Sequence, residues 1–202
     1  MEEKQTFAGL FCFGGSFNPI HNGHLRCIRD IAASLPLKQA LLIPSAMPPH
    51  KSRHNVIASA TDRLALCRIA AAGDPVLRVS DIELRREGPS YTYDTVLELK
   101  AAHRCNVCWL IGADMLMSLP EWHRARELID AATIVVMRRP GVELEWDKLP
   151  PEFRKLQANV VDAPLVDISA TEIRRRVWMN EPIDELVPEA VADYIMEKGL
   201  YR

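Results

Sequence analysis

The run FAGLFCFGGSFNPIHNGH, residues 7–24, joins an apolar stretch to a glycine pair and then to two histidines three apart. Phe7–Phe13 reads as a buried strand. Gly14 and Gly15 end it and let backbone approach a ligand with no Cβ in the way. Pro19 stiffens the loop, and a helix is expected from Asn22 to Ser34. His21 and His24 then share one face at the start of that helix, beside first-turn N–H groups that lack intrahelical partners. Helix N-termini attract anions, and imidazoles there can donate hydrogen bonds to phosphate. A metal site needs three or four ligands, and nothing within Gly14–His24 completes such a set. The segment is not a Walker loop, because it lacks GK[ST].

The rest of the chain repeats the strand-to-helix alternation. Ala40–Ile43 is a second buried strand, stopped by Pro44. A proline-rich polar stretch, SAMPPHKSRHN, fills Ser45 to Asn55. Ser59 can cap a helix reaching about Ala72, with Asp62 at its third position. Val76–Leu84 alternates like a half-buried strand or strand pair, and Tyr91–His103 reads as a helix. Asn106–Ile111 is a buried strand ending at Gly112-Ala113-Asp114. Helical segments follow around Asp114–Leu119 and Glu121–Ala131, then a strand at Thr133–Met137. Residues 146–158 are expected to be partly helical and Val160-Val161 a strand. Helices are expected from Ser169 to about Met179 and from Pro188 to Lys198, the last stopped by Gly199. Continuous apolar strands between helices predict an α/β fold, a doubly wound parallel sheet with helices on both faces. Ligands in such sheets bind beyond the carboxyl ends of the strands, near the switch point. That directs attention to the residues from Gly14, from Ser45 and from Gly112 onward.

Composition narrows the class. The chain has 202 residues, 48% of them hydrophobic, with 25 Lys+Arg against 27 Asp+Glu and a net charge of −2. Disorder is excluded by that apolar content and low charge, and one domain over 1–202 is expected. The balance leaves no basic footprint for a nucleic-acid partner. The acidic start, MEEKQ, lacks the basic n-region of a signal peptide. No apolar window is long enough for a membrane span. Five cysteines in mostly apolar surroundings fit reduced thiols in a cytoplasmic protein. Cys105 and Cys108 form C-x-x-C, but the strand start around them is not the context of a redox or zinc site. Trp109 and Trp178 are expected in the core.

A second motif, ISATEIRRR, runs from Ile168 to Arg176. Ser169-x-x-Glu172 has the form of a capping box, so Ser169 opens a helix. The first turn then offers free N–H groups near Thr171, with Arg174 a turn on. A helix start with a hydroxyl and a guanidinium suits a polyphosphate.

Together, GGSFNPIHNGH and ISATEIR resemble the paired signatures of the nucleotidyltransferase superfamily with the H-x-G-H motif, which has a Rossmann-like fold. PPHK at Pro48–Lys51, GPSYTYDTVLEL at Gly88–Leu99, IGADMLMSLPEWHRARELI at Ile111–Ile129 and the ending VPEAVADYIMEKGLY are similar to the bacterial nicotinate-nucleotide adenylyltransferase family. The resemblance spans nearly the whole chain. Asn18 departs from it, standing where many members have Asp, so no metal role is carried to it. Residues 138–158 match nothing with an assigned role.

The resemblance implies transfer of the adenylyl group of ATP to nicotinate mononucleotide, giving nicotinate adenine dinucleotide and pyrophosphate. It implies His21, His24, Lys51 and Arg174 as the catalytic group. It places ATP against Gly14, Gly15, Ser16, Phe17, His21, His24, Gly112, Asp114, Ser169, Thr171 and Arg174. It places the mononucleotide against Ser45, Lys51, Thr92 and Trp122, with the Trp122 face stacked on the pyridine ring. His50, beside Lys51, could also approach phosphate. Mg²⁺ is implied as the counter-ion of ATP, bound through phosphates and water. Another superfamily member, such as a pantetheine-phosphate adenylyltransferase, is the nearest alternative, and a non-catalytic nucleotide sensor on the same fold is the alternative of a different class. The sequence leaves oligomeric state open, a homo-oligomer included.

Overall fold

The computed structural model describes residues 7–47 and 58–202, apart from residues 36, 38, 139 and 165. Six strands form one parallel sheet: β1 (Leu10–Gly15), β2 (Ala40–Pro44), β3 (Leu77–Val79), β4 (Val107–Gly112), β5 (Thr133–Arg138) and β6 (Val160–Asp162). Their order is β3-β2-β1-β4-β5-β6, and every neighbouring pair is parallel. The helices are α1 (Asn22–Ser34), α2 (Ala60–Ala71), α3 (Thr92–His103), α4 (Ala113–Leu116), α5 (Ala125–Ala131), α6 (Ala170–Trp178) and α7 (Glu189–Glu197).

The two-residue period of each strand divides its side chains between two cores. Phe11, Cys108, Leu110, Val135 and Met137 face one layer, with Ile28 and Ile31 of α1, Leu66 of α2, Ile173 of α6 and Ile195 of α7. Cys12, Trp109, Ile111, Ile134 and Val136 face the other, with Val96 and Leu99 of α3 and Leu128 of α5. Both faces are therefore buried, which is why these strands read as unbroken apolar runs. Turns of 3-10 helix at Trp146–Lys148 and Pro151–Asn159 complete the second layer, where Phe153 is buried. No helix among the described residues is long and apolar enough to cross a membrane.

Two expectations need correction. The alternation over Val76–Leu84 does not continue as strand. β3 stops at Val79, Ser80 Oγ accepts the Ile82 N–H at 3.2 Å, and Ile82–Arg85 is a 3-10 turn. A side chain that captures backbone two residues on competes with the sheet ladder. Trp178 is not in the core but 67% exposed. Ile173 and Val177, four apart, occupy the buried stripe of α6, and Trp178 lies about 100° further round the helix.

Candidate active site

The strand order reverses between β1 and β4, and there the chain leaves β1 toward one face and β4 toward the other. A cavity of about 500 Å³ opens beyond the carboxyl ends of these two strands. Gly14, Gly15, Ser16, Phe17, His21, His24, Ser45, Thr92, Gly112, Asp114, Trp122 and Ser169, all expected from the sequence, line it. Lys51 and His50 lie outside the described residues. Thr171 and Arg174 do not line the cavity but stand behind its rim. Arg174 Nη1 donates to the Asn18 carbonyl at 2.8 Å, and Nη2 donates to Thr171 Oγ1 at 3.2 Å.

His21 is the N-cap of α1 in extended conformation, and its Nδ1 accepts the His24 backbone N–H at 3.4 Å. That bond requires a bare Nδ1, so in the neutral ring the proton sits on Nε2, which becomes the donor. The two imidazoles stack with centroids 3.6 Å apart and planes 24° from parallel. Phe17 meets the His24 ring edge-on at 5.3 Å. Gly23 is what permits this stack. A Cβ built there would lie 3.0 Å from His21 Nδ1 and 3.2 Å from Val166 Cγ1. No acidic residue occupies the first turn of α1, and two of its first N–H groups already have partners: Asn22 donates to the Leu186 carbonyl at 2.9 Å and His24 to the His21 ring.

Gly14 is required for packing as well as for access, and Gly112 makes room for a neighbouring side chain. A Cβ at Gly14 would overlap the Trp109 indole, which is buried and also lines the cavity. At Gly112 it would overlap the Asp114 carboxylate, which folds back over that residue. Asp114 is thus exposed at the rim rather than capping α4, whose N-cap is Gly112 with no side-chain bond.

At the α6 entrance Ser169 Oγ accepts the Glu172 N–H at 3.1 Å. Only half of the expected capping box forms, because the Glu172 carboxylate turns to Arg175 and Arg176 at 2.8–2.9 Å. Those hydrogen bonds hold the Glu172 pKa down at about 2. Burial pulls the Arg174 pKa below its usual value, opposed by the nearby Tyr201 phenol.

The opposite wall comes from α3 and the turn before α5. Thr92 is the first residue of α3, and Trp122 packs partly into the second core. Tyr91 and His123, not anticipated from the sequence, stack there with centroids 4.2 Å apart. Glu83 was also missed. It lines the cavity, is 4% exposed and accepts the Thr95 hydroxyl at 2.8 Å. Burial pushes its pKa up, opposed by hydrogen bonds from Thr95 and Ser90 and by Arg86 and Arg63. The Tyr91 and Ser90 signal lay in the GPSYT segment, where Thr92 was the residue singled out. Asn18 has a structural part: its Oδ1 accepts the buried Ala58 N–H at 3.0 Å.

A family model described as cytidylyltransferase-like matches residues 12–176. Among curated relatives, a probable nicotinate-nucleotide adenylyltransferase of Geobacillus kaustophilus is 43% identical over 190 residues, covering 94% of this chain and 84% of its own. Another of Yersinia enterocolitica is 38% identical over 221 residues, and the match covers 100% of both chains. Among solved structures, the nicotinic acid mononucleotide adenylyltransferase of Plasmodium falciparum, complexed with NaAD, aligns with a TM-score of 0.74. Its identity is 17%, and the match covers 95% of this chain and 96% of that one. At that identity the likeness speaks to the fold, which agrees with the strand order above. The identities of the two bacterial relatives, over nearly the whole chain, speak to more: the chain belongs to the nicotinate-nucleotide adenylyltransferase family, within the cytidylyltransferase-like group.

Proposed function

We propose that this enzyme transfers the adenylyl group of ATP to the phosphate of nicotinate mononucleotide, giving nicotinate adenine dinucleotide and pyrophosphate. One observation carries the reading. A single cavity is lined both by phosphate-type donors, the stacked His21–His24 pair and the α6 entrance, whose helices pack on the first core, and by Thr92 and by Trp122, which packs on the second. Two nucleotides brought together there meet at the carboxyl end of β1.

An oxygen of the mononucleotide phosphate attacks the α-phosphorus of ATP. The new P–O bond forms as the bond to the β-phosphate oxygen breaks, and pyrophosphate leaves with that electron pair. A phosphomonoester is already largely dianionic near neutral pH, its second pKa being about 6, so no side-chain base is required. Catalysis then rests on alignment and on charge stabilisation. In this reading the Nε2–H of His21 and the ring of His24 stabilise the charge that moves onto the phosphates. Gly14, Gly15, Ser16 and Phe17 line ATP with backbone, and Gly112 and Asp114 serve its nucleoside side. Ser169, Thr171 and Arg174 hold the β- and γ-phosphates. Arg174 would exchange the Asn18 carbonyl for phosphate oxygen, a charge-assisted partner. Ser45, Thr92 and Trp122 take the mononucleotide, and Lys51 is assigned to the phosphates.

Mg²⁺ fits this donor set as a companion of ATP. Among the described residues the cavity-lining carboxylates are Glu83 and Asp114, and Glu83 is occupied by hydroxyl donors. A lone open carboxylate suits an ion held mainly by phosphates and water, which would neutralise charge on the polyphosphate.

The test is pyrophosphate release from Mg²⁺-ATP with nicotinate mononucleotide and nicotinamide mononucleotide in parallel. Fast release with the acid and slow release with the amide is expected. Equal rates refute the assigned acceptor preference, and release with neither refutes the reaction.

A further inference from the structure

Arg63 sits on α2 at a position that belongs to its buried stripe, with Leu66, Cys67 and Ala70 at the i+3, i+4 and i+7 places. It is 1% exposed. Among the described residues it forms no ion pair with a carboxylate. Its fork is spent on three backbone carbonyls instead: Nε on Ala58 at 3.1 Å, Nη1 on Ser16 at 2.7 Å and Nη2 on Ala46 at 3.1 Å. Glu83 is near enough to act on it electrostatically but does not pair with it, and burying a guanidinium with no carboxylate in bonding range is costly.

The three carbonyls belong to different segments. Ser16 follows β1 and lines the cavity beside Phe17 and His21; Ala46 follows β2 directly after Ser45, which lines the cavity too; Ala58 precedes α2. Two further contacts converge on the same joint. The Ser45 N–H donates to the Gly15 carbonyl at 2.9 Å. The Ala46 N–H donates to Ser90 Oγ at 2.9 Å, and Ser90 in turn bonds the buried Glu83. Ala46 is thus held at its carbonyl oxygen by Arg63 and at its N–H by Ser90.

We infer that Arg63 is a positioning residue for adenylyl transfer, fixing the spacing between the loop after β1, on the ATP side, and the loop after β2, on the acceptor side. The inference rests on the reaction proposed above. Neither loop binds its own nucleotide through Arg63; the guanidinium sets how the two bound nucleotides face each other. The guanidinium reaches the three carbonyls from three separate nitrogens in a fixed plane, whereas an ammonium presents its three donors around one point. A misalignment of about 1 Å at the reacting atoms can cost ~100-fold in rate.

The experiment compares wild type with Arg63→Gln and Arg63→Lys in the full chain. It reads kcat by pyrophosphate release, and the Kd of ATP and of nicotinate mononucleotide, each alone, by calorimetry. The expected result is a kcat lower by ~100-fold for Arg63→Gln, with Arg63→Lys recovering only part, while each Kd stays within about threefold. A kcat within about threefold of wild type, or a loss confined to the Kd of one nucleotide, overturns the role. Should both variants fail to fold, Ser90→Ala, which frees the Ala46 N–H on the other side of the same residue, decides the matter. It is expected to lower kcat about tenfold at unchanged Kd, and an unchanged kcat overturns the inference. Wild type separates the two readings: if it releases no pyrophosphate with nicotinate mononucleotide, the proposed reaction falls and this role falls with it.

Discussion

Gly23→Ala sets two effects of opposite sign against each other. Gly23 is the second residue of α1, and alanine is the better helix former by about 1 kcal/mol. In a chain of this size that gain would raise Tm by ~2–4 °C if nothing else changed. The added methyl, however, lies 3.0 Å from His21 Nδ1, 3.1 Å from its Cε1 and 3.2 Å from Val166 Cγ1. His21 cannot swing away freely, because its ring is stacked 3.6 Å from His24 and its Nδ1 caps the helix. It must yield by a few tenths of an ångström, and the cap bond lengthens from an already long 3.4 Å. The stability terms roughly cancel, whereas the displaced imidazole is the one assigned to charge stabilisation. Full removal of such a donor costs ~10²–10³ in turnover, and a partial displacement is expected to cost about tenfold. The assay is pyrophosphate release with both substrates saturating, alongside a thermal melt. A folded Gly23→Ala enzyme with wild-type kcat would refute the argument that His21 placement depends on the missing Cβ.

Three further outcomes are expected. His24→Ala should lower kcat by ~10²–10³-fold with little change in the ATP Kd, measured by single-turnover kinetics. Trp122→Ala should weaken nicotinate mononucleotide far more than ATP in calorimetry, since the indole is assigned to the pyridine ring; equal effects remove it from that wall. Asp74 is desolvated, yet its pKa is lowered by the Arg29 pair at 2.7 Å and by the N–H groups of Val76 and Leu77. Its folded pKa lies below the unfolded one, so its contribution is complete above the unfolded value of about 3.9 and vanishes as pH falls through the depressed value. Asp74→Asn should therefore lower stability at neutral pH and flatten the acid limb of a stability-against-pH profile below about pH 4.

The sheet was legible because burial on both faces leaves few polar residues in its strands. The runs at Ala40–Ile43 and Asn106–Ile111 needed no tertiary information, and the one at Phe7–Phe13 located β1, which starts three residues later at Leu10 and continues through Gly14 and Gly15. The caps at Ser59 and Ser169 were legible for a local reason, since each hydroxyl bonds an N–H three residues on. What the sequence hid were side chains whose partners are distant in the chain. Arg63 on α2 carries no motif, yet its 63–66–67–70 spacing puts it on the apolar stripe, and that pattern could have exposed it. The stack of Tyr91 on His123 joins residues 32 apart and has no local signature. Trp178 misled in the other direction: its size argued for the core, and the helical angle from Val177 argued against it.

Gly14 and Trp109 lie on adjacent strands, and the indole fills the space that any β-carbon at 14 would need. Neither residue can drift alone. A side chain at 14 collides with the ring, and a smaller residue at 109 opens a hole in the floor of the nucleotide cavity. The route from this pair to any other solution passes through a damaged intermediate. Among descendants of this enzyme they should change together or not at all, and a search of variants for compensated pairs would find the second change at the partner strand rather than next along the chain.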